Sequence, residues 1–143
     1  MGASGDASSM KRYLLDTGTA ADYIYRRYAV FQKVKEAIAL GHRIGICVPI
    51  LGELWSGVYS SASRDRNEKR LLQQLHAFVL WPYTEEASRE FGRLFSELRR
   101  AGRPMQQIDI QIAAIALTLG NCVVVTKDSD FAAIPGLDHE NWS

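Results

Sequence analysis

The chain alternates short apolar runs with segments of helical period, and this alternation constrains the fold more than any other feature of the sequence. Residues 12–15, 44–48 and 122–126 are brief apolar runs, which is typical of strands that are buried on both faces. Between them, apolar residues recur every three or four positions, as they do in helices. Strands that alternate with helices pair in parallel through right-handed crossovers. We therefore predict an α/β protein whose parallel central sheet is flanked by helices.

The helical segments carry start and stop signals. Gly41 and Gly102 are suited to ending helices, and Pro49 is suited to the first position of one. Thr84 is an expected N-cap, because its hydroxyl can accept a bond from the first turn. The predicted helices are residues 19–40 as one or two helices, a helix that starts near Pro49, Arg64 to Phe78, a helix that follows Thr84, and Asp109 to Leu119.

Length and composition predict one domain. A chain of 143 residues with 47% hydrophobic residues can bury a sizeable core, and it contains no repeat or interior linker. Residues 1–10 are small and polar, so we expect a flexible leader there and the domain in residues 11–143. No run approaches the roughly 20 apolar residues of a membrane span. Cys47 and Cys122 lie in apolar runs and are expected to be buried free thiols, which fits a soluble cytoplasmic protein.

The net charge of +1 supplies no bulk argument for nucleic-acid binding, since such domains are usually strongly basic. The charges are nevertheless unevenly placed. Residues 1–103 carry five more basic than acidic residues, whereas residues 104–143 carry four more acidic than basic ones. This asymmetry indicates that acidic groups have a particular role near the end of the chain.

Two acids follow predicted strands. Asp16 comes directly after the first strand, and Asp128 comes just after the strand that ends at Thr126. Ligands of open parallel sheets bind at the carboxyl ends of strands, so both acids are candidates for a site. Each acid could instead have a purely structural role, because Asp16 could cap the next helix and Asp128 could form an Asx-turn.

Two further acids lie on predicted helices. Glu53 is placed beside an apolar stripe, and Asp109 begins an almost wholly apolar helix, where it could also be the N-cap. Neither has a Lys or Arg within four residues. Since a buried carboxylate needs a partner, this favours a metal ion or a partner distant in sequence. Oxygen ligands of this kind suit Mg²⁺ or Mn²⁺ rather than zinc.

Five runs of the chain match, in order, the motifs of a known family. The matching runs are 13–17, 49–57, 107–116, 123–131 and 134–142, the last of which ends in Glu140-Asn-Trp142. Any one run is weak, but the ordered set with the closing Glu-Asn-Trp is specific. On these runs the chain resembles PIN domains of the VapC type, the toxin half of bacterial and archaeal toxin–antitoxin pairs, over residues 11–142.

The resemblance implies a PIN-like three-layer sandwich and an endoribonuclease that depends on Mg²⁺ or Mn²⁺ and hydrolyses phosphodiester bonds of single-stranded or looped RNA. It also implies a homodimer and a cognate antitoxin protein. The family's catalytic and metal-binding acids fall on Asp16, Glu53, Asp109 and Asp128. Asp130 matches an accessory acid, and Thr126 matches a supporting hydroxyl.

RNA phosphates would need basic contacts around this pocket. Their candidates are Arg99, Arg100, Arg103 and Lys127, although cations at a helix end also suit the helix dipole. The sequence departs from the family pattern at Gly18, where Asn is common after Asp-Thr. The next residues, Thr19 to Asp22, are also smaller and more polar than the usual helix start.

Two other functions compete with the nuclease. A PIN-like module that has lost catalytic strength and binds only proteins is favoured weakly by Gly18 and disfavoured by the four acids. The run Asp16-Thr17-Gly18 also resembles the signature of a retropepsin-like aspartic protease. Such a protease needs a nearly all-β chain, which the helical periodicity contradicts.

Overall fold

A computed structural model describes residues 10–27 and 29–143 and contains five strands, six α-helices and one 3₁₀ helix. The predicted leader, apart from Met10, lies outside the described residues. In chain order the elements are β1 (Arg12–Leu15), α1 (Thr17–Ile24), α2 (Val30–Ala39), β2 (Arg43–Cys47), α3 (Val48–Tyr59), α4 (Arg64–Leu75), β3 (Val79–Trp81), α5 (Glu85–Arg100), α6 (Gln107–Leu119), β4 (Cys122–Val125), the 3₁₀ helix (Ser129–Ala133) and β5 (Asp138–Glu140).

The five strands form one parallel sheet in the order β3-β2-β1-β4-β5. Along the chain, β2 and β3 are added on one side of β1, and β4 and β5 are then added on its other side. Parallel strands are nearly always joined by right-handed crossovers, and this rule assigns α1 to α4 to one face of the sheet and α5 and α6 to the other. The predicted three-layer α/β fold is confirmed, and the helices exclude the nearly all-β protease alternative.

The two outer strands were not predicted from the sequence. β3 has three residues, and β5 consists of Asp138, His139 and Glu140, which are all exposed. Strands at the edge of a sheet are short and need no apolar run, so they carry no periodic signal. Their pairing partners on the neighbouring strands hold them in place.

Several predicted boundaries were wrong by a few residues. Residues 19–40 form two helices, the first of which begins earlier, at Thr17. Val48 was assigned to a strand but opens α3, so Pro49 is the second residue of that helix. The helix predicted to reach Phe78 ends at Leu75. Residue Thr126 lies just beyond β4, which ends at Val125.

The core is built on the central strands. Leu14, Leu15, Val124 and Val125 are fully buried, because helices cover both faces of β1 and β4. The two cysteines are free and buried, as predicted. Within the described ranges, none of the helices combines the length and the apolar character needed to cross a membrane.

Candidate active site

The sheet order creates a crevice at the carboxyl ends of β1 and β4, where successive crossovers leave in opposite directions and ligands of open sheets bind. Asp16 lies in this crevice between β1 and α1. Its Oδ1 accepts a bond from the Thr19 backbone N–H at 2.8 Å, and its Oδ2 accepts one from the Thr126 hydroxyl at 2.6 Å. The capping interpretation of Asp16 is therefore confirmed. Each carboxylate oxygen has two lone pairs, so capping leaves both oxygens able to accept a further contact.

Thr126 connects Asp16 to the segment after β4. Its side chain is buried, and its oxygen also accepts a bond from the Asp128 backbone N–H at 2.9 Å. The side chain of Asp128 caps the 3₁₀ helix by accepting a bond from the Asp130 N–H at 2.9 Å. The Asx-turn interpretation of Asp128 is thus also confirmed. The same bonds hold Asp16, Asp128 and Asp130 in one corner of the molecule.

Glu53 lies in the second turn of α3, and its Oε1 accepts a bond from the Thr17 hydroxyl at 2.5 Å. Glu53 is exposed, so the argument that its carboxylate is buried and needs a partner was wrong. The Thr17 bond ties α3 to the start of α1, directly beside Asp16. The sequence could not show this bond, since 36 residues separate its two partners.

Asp109 is the third residue of α6 and is half-buried, whereas Gln106 occupies the N-cap position. The N-cap interpretation of Asp109 was therefore wrong. Burial, and after it the negative charges of the surrounding acids, together raise the pKa of Asp109 to about 6. In decreasing order of effect, these acids are Asp128, Asp16, Glu53 and Asp130. The tertiary structure thus brings the predicted acids into one electrostatic cluster, which we call the acidic cluster (Asp16, Glu53, Asp109, Asp128 and Asp130).

The acidic cluster is not a closed metal centre. Across residues 10–27 and 29–143, no three His, Cys, Asp or Glu side chains are grouped tightly enough to hold an ion as they stand. Like-charged carboxylates repel one another, and Asp16, Glu53 and Asp128 are each engaged by a hydrogen bond. The donor set is nevertheless all oxygen and strongly negative, which is the chemistry that Mg²⁺ and Mn²⁺ select.

An ion pair beside the acidic cluster was missed by the sequence reasoning. Asp22 on α1 is only 4% exposed, and its Oδ2 lies 2.9 Å from Nζ of Lys127. The sequence signal that could have pointed to this ion pair was an acid on the inner face of a short helix. The sequence did not identify its partner, which is 105 residues away. The prediction that Lys127 contacts RNA stays a prediction.

The three arginines predicted as RNA contacts occupy different surroundings. Arg99 and Arg100 are exposed in the last turn of α5, and the Arg99 guanidinium lies 5.7 Å from the centre of the Phe95 ring. Arg103 lines a cleft of about 290 Å³ together with Asp130 of the acidic cluster. Of these three, Arg103 is therefore the arginine that the structure brings next to a predicted site acid.

The position of Gly18 can accept a side chain. A Cβ added there would lie 3.9 Å from Oδ1 of Asp16, an ordinary contact, and would meet no other atom within 4 Å. The backbone therefore leaves room for the Cβ of the Asn that is common in the family at this position. With Gly here, no side chain is present to contact the Asp16 carboxylate.

Replacement of Thr126 by Val is expected to destabilise the protein by about 1–2 kcal/mol, because Asp16 loses a donor and the Asp128 N–H loses its acceptor. Urea unfolding measures this difference. Thr126→Ser is the matched control, since it retains the hydroxyl. Equal stabilities of the Val and Ser variants would contradict the assigned bonds.

The metal-free protein is expected to become more stable when Asp109 is replaced by Asn, at any pH above about 6. The folded state raises the pKa of Asp109 to about 6, so its ionised form is disfavoured there relative to the unfolded chain. Stability is therefore lost as the pH rises from about 4 to 6, and Asn avoids this loss. We expect a gain of about 1 kcal/mol at pH 8 after allowance for solvent screening.

Urea unfolding of both proteins in EDTA, at pH 8 and at pH 4, tests this expectation. The advantage of Asp109→Asn should shrink toward pH 4, where the carboxyl is protonated in the folded protein. A difference that is the same at both pH values would show that the ionised carboxylate is not the cause.

Comparison with known proteins connects this site to a family. The PIN domain model matches residues 13–137. The tRNA(fMet)-specific endonuclease VapC of Shigella flexneri is 30% identical over 139 residues, which cover 94% of this chain and 100% of that protein.

Among solved structures, VapBC2 of Rickettsia felis bound to a promoter DNA fragment has a TM-score of 0.85 at 27% identity, covering 92% of this chain and 99% of that one. VapBC-5 of Mycobacterium tuberculosis, from the VapBC family of toxin–antitoxin systems, has a TM-score of 0.65 at 28% identity and covers 91% of this chain and 96% of that one.

Proposed function

Because the chain belongs to the PIN-domain family, we propose that it is a ribonuclease that depends on Mg²⁺ or Mn²⁺ and is the toxin of a toxin–antitoxin pair. The observation that carries this proposal is that the negative charges of four other acids act on Asp109 and help to raise its pKa. Asp109 thus belongs to a group of acids at the crevice where the sheet order reverses. A fold gains nothing in stability from such repulsion, so an acidic cluster of this kind indicates a functional site.

Asp16, Asp109 and Asp128 would hold the metal ion, directly or through water. When bound, Mg²⁺ or Mn²⁺ neutralises the charge that develops on the phosphate and leaving oxygens during hydrolysis. Thr126 positions the Asp16 carboxylate by donating to Oδ2. Glu53 is exposed, and its carboxylate, which accepts one bond from Thr17 through Oε1, would orient the attacking water or complete the metal ligands.

RNA binding requires positive charge around this negative centre. Arg103 is the best-placed candidate, because it lines the same cleft as Asp130. Arg99, Arg100 and Lys127 would extend the contact to neighbouring phosphates. These four residues contact the phosphate backbone in this proposal, which gives affinity without reading the RNA sequence.

The protein partners follow from the structural relatives, whose names are those of VapBC pairs. We propose that this chain is held inactive by a small antitoxin encoded beside it and that it forms a homodimer in the cytoplasm. Co-expression with the neighbouring short reading frame and size-exclusion chromatography of the purified complex test both statements.

The activity is tested with antitoxin-free protein, Mg²⁺ or Mn²⁺, and a panel of RNAs that includes tRNA(fMet), the RNA in the name of the Shigella flexneri relative. Site-specific cleavage that EDTA abolishes supports the proposal. Cleavage that survives EDTA contradicts the metal dependence. Stable antitoxin binding without cleavage of any RNA in the panel would instead support the protein-binding module, which the departure at Gly18 favours.

A further inference from the structure

An apolar pocket, which we call the Phe95 pocket, lies between the end of α5 and the start of α6. Its volume is about 220 Å³, below the roughly 300–1,000 Å³ of sites that hold a whole small molecule. It therefore has room for a single planar ring or one side chain. The residues that line it are Phe95, Leu98, Arg99, Pro104, Met105 and Ile110.

The Phe95 pocket adjoins the acidic cluster at two points. Pro104 and Met105 line both this pocket and the cleft of about 290 Å³ that contains Asp130. Ile110, which is buried and lines the pocket, directly follows Asp109 in α6. An RNA strand with a phosphate at the acidic cluster therefore passes within reach of the pocket.

Three exposed arginines surround the pocket. Arg99 lines it and, together with Arg100, lines a neighbouring hollow of about 390 Å³, while Arg103 lines the adjoining cleft. In the part of the chain that the structure describes, the four ion pairs all involve other side chains. Guanidinium groups that are not neutralised by carboxylates bind phosphates well, so this surface favours an anionic strand over an apolar segment.

The wall of the Phe95 pocket suits a nucleobase. The Phe95 ring is half-buried, and the Arg99 guanidinium lies 5.7 Å from its centre. RNA bases that are not paired stack on aromatic rings and on guanidinium planes. We infer that the pocket holds one unpaired base of the RNA substrate, beside the phosphate that is cut. The pocket thereby selects single-stranded or looped RNA. This inference rests on the proposed function.

The test uses an RNA that the wild-type protein cleaves and whose cleavage site has been mapped. The RNA is prepared as a series in which each nucleotide near the site is replaced in turn by an abasic one, which keeps the ribose and the phosphate. Antitoxin-free wild type with Mg²⁺ is expected to lose about tenfold in kcat/KM at one position, the scale for removing a base from an aromatic stack.

Phe95→Leu removes the flat ring but keeps an apolar side chain. This variant is expected to lose about tenfold in kcat/KM on the intact RNA and to show no further loss on the abasic RNA, because both changes remove the same contact. Phe95→Tyr keeps the ring and should retain the wild-type kcat/KM and the wild-type loss on the abasic RNA. Tyr59→Leu is the control, since it removes an exposed ring from α3 that does not line the pocket, and it should behave as the wild type.

Arg99→Lys provides a second variant at an exposed residue. It keeps the positive charge but lacks the planar guanidinium, so it is expected to lose about threefold in kcat/KM on the intact RNA and less than that on the abasic RNA. Circular dichroism and thermal unfolding show which variants are folded. If Phe95→Leu does not fold, Arg99→Lys decides the outcome in its place.

The outcomes separate this inference from the proposed function. If the wild type tolerates every abasic substitution, or if Phe95→Leu responds to them as the wild type does, the inference is overturned while the nuclease stands. Wild-type cleavage by Phe95→Leu together with weaker antitoxin binding would assign the pocket to a protein side chain, which also overturns it. If the wild type cleaves no RNA, the proposed function fails first and the inference falls with it.

Discussion

Asp109→Asn is expected to lower the rate of RNA cleavage about a thousandfold, the scale of effect seen when one electrostatic group is removed from a reacting centre. Asp109 is the acid on which the charges of the rest of the acidic cluster converge. Asn has nearly the same shape but lacks the negative charge that attracts the metal. The rate is measured with antitoxin-free protein at saturating Mg²⁺ on a cleaved RNA.

The matched control is Asp65→Asn, which removes an exposed acid from the first turn of α4. It should cleave RNA at the wild-type rate. Since the metal-free Asp109→Asn protein is expected to be more stable than the wild type, its loss of activity cannot be explained by unfolding. Full activity of Asp109→Asn would contradict the proposed mechanism.

Gly45→Ala is expected to destabilise the protein by about 3 kcal/mol, the upper range for overpacking a core. Gly45 lies in β2 between β1 and β3. A Cβ there would lie 2.2 Å from the backbone oxygen of Val79 and 2.8 Å from the Trp81 ring. Backbone cannot move aside as a flexible side chain does, so β3 would have to shift. Urea unfolding at pH 7 measures the loss.

Gly57→Ala is the matched control for this substitution. Gly57 is an exposed residue within α3, and an added Cβ would meet nothing within 4 Å. Ala is a better helix former than Gly, so this variant should gain about 0.5–1 kcal/mol. The same change of atoms thus has opposite signs at two positions. Similar effects at both would show that crowding at Gly45 is not the cause.

The central strands and the strand-end acids could be predicted because their signals are local. β1 and β4 are buried on both faces, so each reads as an apolar run, and Asp16 and Asp128 follow directly. β5 carries no such run and depends on its pairing with β4. Similarly, nothing in the sequence near Glu53 shows that it is exposed and bonded to Thr17, because that bond depends on how α3 packs against α1.

Within this protein, local sequence determined the residue types, their order and the elements that carry them: buried parallel strands, helices between them, and acids at strand ends and on helices. Only the tertiary structure decided the burial of those acids and the charges that surround them. Asp109 has a raised pKa because burial and four distant carboxylates meet at one crevice, and the buried Asp22 has an ion-pair partner, Lys127, that reaches it from the other end of the chain. Electrostatic interaction depends on distance in space and on the surrounding dielectric, and neither quantity is encoded in sequence separation.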